Sequence, residues 1–410
     1  MDDSLAEKLK RLGMKLGSEL VMPPPPLPEE TSVTSVIPGE EISTAFGRCY
    51  RVRKLLDRQH MHGSTTLVIE GEIGLVADWA HLQNLRGQTA ERMIFLDTET
   101  TGLAGGTGTF AFLVGVSQIT PDGLEFTQFL LRDPSEEQAM LTALSEYMTV
   151  ARAVVTYNGK SFDIPLLNNR YILHRIQSPF INLDHIDLLP MARKIWKKKL
   201  ASHRLSNVET EILRVERTLD EVPGYLVPQV YFDYLKSGDA HPLAGVLYHN
   251  EMDVLSLTAL LQYFMQSLSR LDHDASETLD DLYPVINLLI DMGHFAEACS
   301  LFERVFRQDA PESLIDWETI EKMAVFYKRN KDWPSALKIW EAAADHQQEF
   351  GWLELAKYYE HHTRNYPGAR YYTETLLQHI STLNLPPFTR KQRLDELQKR
   401  LDRVKLKERK

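Results

Sequence analysis

Met93-Ile94-Phe95-Leu96-Asp97-Thr98-Glu99-Thr100 is the stretch on which the reading of this chain turns. An apolar run leads straight into two carboxylates spaced two residues apart. A strand sends alternate side chains to opposite faces, so Asp97 and Glu99 leave it on the same side. Like charges set side by side beside an apolar core are unfavourable unless a cation neutralises them. The pair therefore reads as ligands for a hard divalent metal, although Asp-x-Glu is also common on solvated loops.

Working outward, Phe110 to Val116 and Phe126 to Leu131 are two further apolar runs. Turn-forming segments separate them, Gly102 to Gly108 and Pro121-Asp122-Gly123, which predicts three antiparallel strands in succession. Pro134-Ser135-Glu136-Glu137 opens a helix with Ser135 as its cap, and Met140, Leu141, Leu144 and Met148 are among its apolar positions. Ala153 to Thr156 reads as a buried strand and Ile164 to Leu173 as the helix after it. The order β-β-β-α-β-α predicts an α/β domain on a mixed sheet. Two more acids follow. Asp163 closes Asn158-Gly159-Lys160-Ser161-Phe162-Asp163, and Asp253 closes Tyr248-His249-Asn250-Glu251-Met252-Asp253 inside a helical pattern continued by Leu255, Leu257 and Leu260.

The totals bound what such a site can belong to. At 410 residues the chain is long enough for two or three domains. A 43% hydrophobic and 25% charged composition supplies ample core material. The net charge of −11 excludes a protein that coats nucleic acid through its bulk field, so any positive face must be local. Cys49 and Cys299, far apart, exclude a disulfide framework and a cysteine zinc site. No apolar run approaches the ~18 residues a membrane span needs, and the acidic N-terminus is unlike a secretory signal, so no membrane role and a cytoplasmic location are expected.

Five segments are expected. Residues 1–45 read as an appendage, with Leu5, Leu9, Leu12 and Leu16 on a short amphipathic helix and a proline-rich linker at Pro23 to Pro28. Residues 46–91 form an N-terminal extension of the catalytic unit, and 92–268 hold the α/β domain. Residues 275–385 turn wholly helical. Phe295 and Ala298, Trp333 and Ala336, and Tyr366 and Ala369 repeat an aromatic followed three positions later by alanine, at separations of 38 and 33 residues. These bracket the 34-residue period of tetratricopeptide hairpins, against the alternative of an irregular bundle. Residues 386–410 carry ten Lys/Arg against four Asp/Glu and read as a basic helix, the last of the array.

The three acidic blocks, in this order and strand-strand-helix context, resemble the DEDD exonuclease superfamily, whose fold is ribonuclease H-like. Asp97-Thr98-Glu99-Thr100-Thr101-Gly102-Leu103, Ile186-Asp187-Leu188-Leu189, Arg204-Leu205-Ser206-Asn207-Val208-Glu209, Val222-Pro223-Gly224-Tyr225 and His249-Asn250-Glu251-Met252-Asp253-Val254 are similar to the YprB-type bacterial family. That family, also called mitomycin repair factor B, joins such a domain to C-terminal tetratricopeptide repeats. The resemblance implies that Asp97, Glu99, Asp163 and Asp253 bind two Mg²⁺ or Mn²⁺ ions. It implies 3′-5′ exonuclease activity on DNA rather than RNA, and a part in DNA repair beside a helicase partner docked on the repeats. One superfamily branch has His five residues before the last acid and another Tyr four before it; here Tyr248 is at minus five and His249 at minus four. On a continuous helix minus four shares the face of Asp253, so His249 is the expected general base and Tyr248 the fallback.

Beside such a site, Lys160 and the acid-free basic run of Arg193, Lys194, Lys197, Lys198, Lys199 and Arg204 are candidates for phosphate contact, with Trp196 stacking on a base. Gly159-Lys160-Ser161 imitates the end of a phosphate-binding loop, but Val154 stands where the first glycine belongs. Phe162 is expected in the core, Asp187 in hydrogen bonds near the site, and His60, His62, His361 and His362 in solvated or capping roles. An RNA-processing nuclease and a non-catalytic repeat scaffold are the rival readings.

Overall fold

The Met93–Leu96 run is buried at every residue, which only an interior strand can satisfy. In the computed structural model, which describes residues 29–69, 71–102, 108–217, 222–269, 279–306 and 315–409, it lies inside a seven-stranded mixed sheet. The strands are β1 (Glu40–Thr44), β2 (Gly47–Asp57), β3 (Met93–Thr100), β4 (Ala111–Thr120), β5 (Gly123–Leu130), β6 (Ala153–Thr156) and β7 (Asp184–Asp187). Their order across the sheet is β1-β2-β5-β4-β3-β6-β7. Strands β3, β4 and β5 are successive antiparallel neighbours, while β6 and β7 join β3 in parallel. The longer helices of this part of the chain are α1 (Glu137–Tyr147), α2 (Asp163–Leu173), α3 (Leu188–Ile195), α4 (Val227–Ser237) and α5 (Leu243–Ser269). The α/β class and its β-β-β-α-β-α order are as expected from the sequence.

Several local expectations change. Asp133 rather than Ser135 caps the turn into α1, since its Oδ1 accepts from the Ser135 backbone N–H at 2.8 Å and hydroxyl at 2.6 Å. The N-terminal appendage is shorter than 45 residues. Val33 and Ile37 are buried in the core, and β1 and β2 form a hairpin that pairs along β5. That hairpin covers an edge which would otherwise present unpaired backbone groups. The Leu5 to Leu16 pattern, the proline run and Leu103 to Thr107 lie outside the described residues.

Compactness divides the chain into two units, the first running to Pro190 and resuming over Ser202–Phe264, the second comprising Met191–Ala201 and Met265–Lys410. The basic run around Trp196, read from the sequence as part of the α/β domain, thus belongs with the helical unit. That unit is all-helical: α6 (Leu279–Met292), α7 (Phe295–Phe306), α8 (Trp317–Arg329), α9 (Trp333–Asp345), α10 (Glu349–Tyr358), α11 (Tyr366–Thr382) and α12 (Pro387–Glu408). Phe295, Trp333 and Tyr366 each open a helix, and Ala298, Ala336 and Ala369 one turn on are all fully buried. The repeated small residue lets paired helices approach closely. On α12, Leu397, Leu401 and Val404 face inward, and Arg400, Arg403 and Lys407 surround the buried Glu360 at 2.7–2.9 Å. Much of the basic character of this helix is thereby spent inside the unit.

Helix α5 crosses the sheet over Gly115 of β4. A Cβ at this position would lie 2.1 Å from Asn250 Oδ1 and 2.9 Å from Val254 Cγ2. Gly115→Ala is therefore expected to lower stability by about 3 kcal/mol through overpacking. Gly74→Ala, where a Cβ meets nothing within 4 Å, should stay within about 0.5 kcal/mol of the parent. Urea unfolding midpoints compare the two, and equal midpoints would remove the close crossing from the description.

Candidate active site

Asp97 and Glu99 stand on β3, where the sheet register places Asp97 beside Gly115 and Gly115 beside Gln128 of β5. Asn250 of α5 lies over this row. Its Nδ2 donates to Asp97 Oδ2 at 2.9 Å, and its Oδ1 accepts from Gln128 Nε2 at 3.0 Å. Gln128 also donates to the Leu247 carbonyl at 2.8 Å. Both amides are buried, at 0% and 1% exposure, so they form a fixed clamp that sets the Asp97 carboxylate.

Asp163 opens α2 and is aimed by the loop before it. Asp187, at the end of β7 and 5% exposed, accepts from the backbone N–H groups of Asn158 at 2.8 Å, Lys160 at 3.2 Å and Leu189 at 3.1 Å. Asn158 takes φ 68°, and a Cβ on Gly159 would fall 2.5 Å from the Thr156 side chain. A built-in carboxylate thus holds the Asn158 and Lys160 amides of the loop before Asp163, and this is the hydrogen-bonding role near the site expected of Asp187. The Thr98 hydroxyl donates to Asp163 Oδ1 and ties α2 back to β3.

Asp253 and His249 share one face of α5, which is continuous from Leu243. His249 Nε2 is 3.7 Å from Asp253 Oδ2 and 3.8 Å from Glu99 Oε1. Tyr248 is one residue earlier, about 100° around the helix. Burial raises the Asp97 carboxyl well above its ordinary range, and the charges of Asp253, Asp163 and Glu99 push it further. Glu99 is raised by burial and then by Asp253 and Asp163. Burial lifts Asp163 to about 6 against the Thr98 hydrogen bond. Acids from β3, α2 and α5 therefore lie within one another's electrostatic reach in a partly buried setting.

An arginine joins them that sequence reading missed. Arg217 Nη2 donates to Asp253 Oδ1, while its Nε and Nη2 grip the buried Glu209 at 2.8 and 2.6 Å. Among the described residues, no three His, Cys, Asp or Glu side chains stand in a ready ligand shell. A cleft of about 530 Å³ opens beside Asp97 and Asp163, lined also by Thr100, Tyr157, Asn158 and Phe162. Phe162, expected in the core, is 57% exposed at this cleft.

Comparison with known proteins places residues 94–265 in the ribonuclease H superfamily. The uncharacterized protein YprB of Bacillus subtilis is 32% identical over 313 residues, covering 74% of each chain. The chain belongs to the YprB family of ribonuclease H-like proteins. A family B DNA polymerase from the archaeon Pyrobaculum calidifontis is similar over 49% of this chain and 29% of its own, at 13% identity and a TM-score of 0.31.

Other candidates from the sequence fall elsewhere. Trp196 is 1% exposed, so its ring is core and not a stacking platform. Met191, Ala192, Ile195 and Leu200 are buried with it, an i, i+1, i+4 apolar stripe that was legible in the basic run. Lys194 pairs with Asp291, and Lys198 with Asp316 at 3.0 Å. Arg193, Lys197, Lys199 and Arg204 are exposed. Lys160 is exposed in the loop that carries Asp163. His62, expected in a solvated or capping role, is buried against Ser256 at 2.7 Å, and burial depresses it to about 4. Among the described residues, no helix is long and apolar enough to cross a membrane.

The raised acids fix a sign for pH dependence. Asp163 titrates in the fold near 6 instead of 3.8, so its stabilising protonated form is lost as pH rises through 6. In chelator, Asp163→Asn should match the parent near pH 4 and exceed it at pH 7 by on the order of 2 kcal/mol. Thermal unfolding across that range measures the difference. A pH-independent gap would contradict the burial that lifts this carboxyl.

Proposed function

We propose that this chain is a metal-dependent 3′-5′ exonuclease that hydrolyses phosphodiester bonds of DNA. The observation that carries the proposal is the gathering of Asp97, Glu99, Asp163 and Asp253 from three separate elements, with Asp97, Glu99 and Asp163 held above the ordinary carboxylate range. Hard oxygen donors in mutual repulsion suit Mg²⁺ or Mn²⁺, and membership of a ribonuclease H-like family agrees with nuclease chemistry. The four carboxylates are the residues that would hold two such ions. When bound, the ions supply activation of a water and charge neutralisation at the scissile phosphate and leaving oxygen.

The protein's own contribution is orientation. Asn250 and Gln128 hold Asp97, Thr98 and the Asp187-bound loop hold Asp163, and α5 presents His249 to Glu99 and Asp253. Phe162 and Tyr157 give the neighbouring cleft aromatic surface for a terminal nucleotide. Lys160 and the exposed Arg204 of the same unit are proposed backbone contacts. Placement in DNA repair in the cytoplasm, with a helicase bound to tetratricopeptide-like hairpins, extends the proposal from the family resemblance.

Degradation of matched end-labelled DNA and RNA, with Mg²⁺, Mn²⁺ or chelator, tests this directly. DNA shortened from its 3′ end only with metal is expected, and Asp97→Ala and Asp253→Ala should each lower the rate on the order of 10³-fold. Preference for RNA would favour an RNA-processing enzyme. Full activity in both variants would dismiss the site, and no activity on any substrate would favour a scaffold.

A further inference from the structure

Side chains from α8, α9, α10 and α12 of the second unit enclose a cavity of about 290 Å³, walled by Trp333, Trp340, Tyr358 and His362. Trp340 is buried, Trp333 and Tyr358 are half-buried, and His362 is exposed. Their rings form one cluster. His362 stacks on Tyr358 with 4.9 Å between centroids and lies 4.4 Å from Trp333. His362 reaches them from a π-helical turn, Tyr359–Thr363, that follows α10, an irregularity frequent at functional sites.

The same cavity is lined by Lys328, Lys357 and Arg400. Lys328 and Lys357 share the one carboxylate of Glu354, the second at 2.7 Å. Arg400 shares Glu360 with Arg403 and Lys407, at 2.7–2.9 Å. Among these groups five cations meet two carboxylates, which leaves positive charge in excess at one corner of a chain whose net charge is −11. Burial and then the neighbouring Arg403 lower the Arg400 guanidinium, even against Glu360.

We propose that this cavity binds a nucleotide of single-stranded nucleic acid, with the base on the Trp333, Tyr358 and His362 rings and phosphate on Lys328, Lys357 and Arg400. Excess positive charge calls for an anionic occupant. Aromatic walls select one that carries flat rings, which a nucleotide has and a run of acidic side chains lacks. Every base has a face that stacks, so the contact tolerates any sequence. Resting on the nuclease reading above, the helical unit then holds the strand at a site of its own, built from none of the carboxylates of the first unit.

Fluorescence anisotropy of a labelled thymidine oligonucleotide, about 20 nucleotides long, with the full chain in chelator tests the proposal without hydrolysis. Trp333→Ala and His362→Ala should each weaken binding about tenfold. His362 is exposed, so that variant reports even where Trp333→Ala unfolds the unit. Lys357→Ala should reduce the slope of log affinity against log salt by about 0.7, the signature of one lost phosphate contact on a single strand. Loss of packing alone would leave that slope unchanged. Unchanged affinity in His362→Ala, or an unchanged slope in Lys357→Ala, overturns the proposal. So does a labelled peptide of glutamate and phenylalanine that binds through Lys357 while the oligonucleotide does not, which would assign the cavity to a protein partner. If the parent degrades no nucleic acid yet binds the oligonucleotide through these residues, the nuclease reading fails and the cavity stands. Degradation by a parent whose binding ignores them gives the reverse.

Discussion

Carboxylates crowded into a partly buried cleft repel one another, and much of the first unit answers that constraint. Water and lengthening separation would relieve the repulsion, yet the fold does the opposite. Asp97 and Glu99 leave a β3 whose first half is buried at every residue, and Asp163 and Asp253 come to them on helices. Burial raises Asp97, Glu99 and Asp163, and the neighbouring carboxylates push Asp97 and Glu99 further. A folded chain keeps such repulsion when surrounding structure over-determines it, which is common at sites of chemistry.

The over-determination is visible in the polar partners. Asp97 is held through Asn250 by Gln128, two strands away. Asp163 is held by Thr98 and by a loop whose amides close on Asp187. Asp253 is held by Arg217, which is in turn held by Glu209. Every one of these supports is a hydrogen bond to a buried or half-buried group, where loss of a partner is most damaging. Gly115 belongs to the same set although it has no side chain, because its bareness lets Asn250 reach the sheet.

What could be read in advance follows from the range of each signal. Period-two and helical patterns are local, so β3 to β6, α1, α2 and the shared face of His249 and Asp253 were legible. The β1–β2 hairpin was not, because Arg48, Arg51, Arg53 and Lys54 break its apolar alternation, and it is held by pairing along β5 and by burial of Cys49, Tyr50 and Val52 in the core. Arg217 and Glu209 bond across eight residues and then to α5, a pairing that leaves no periodic trace. Trp196 was misassigned because basic neighbours outweighed its apolar stripe, and Phe162 because an aromatic before an acid looks the same in a core or at a cleft.

The central claim is that acids from three elements form one cation site. Diffraction from crystals grown with Mn²⁺, collected at the manganese absorption edge, tests it most directly. Two anomalous peaks bonded among Asp97, Glu99, Asp163 and Asp253 are expected, about 4 Å apart. An empty cluster with manganese bound elsewhere or nowhere would contradict it.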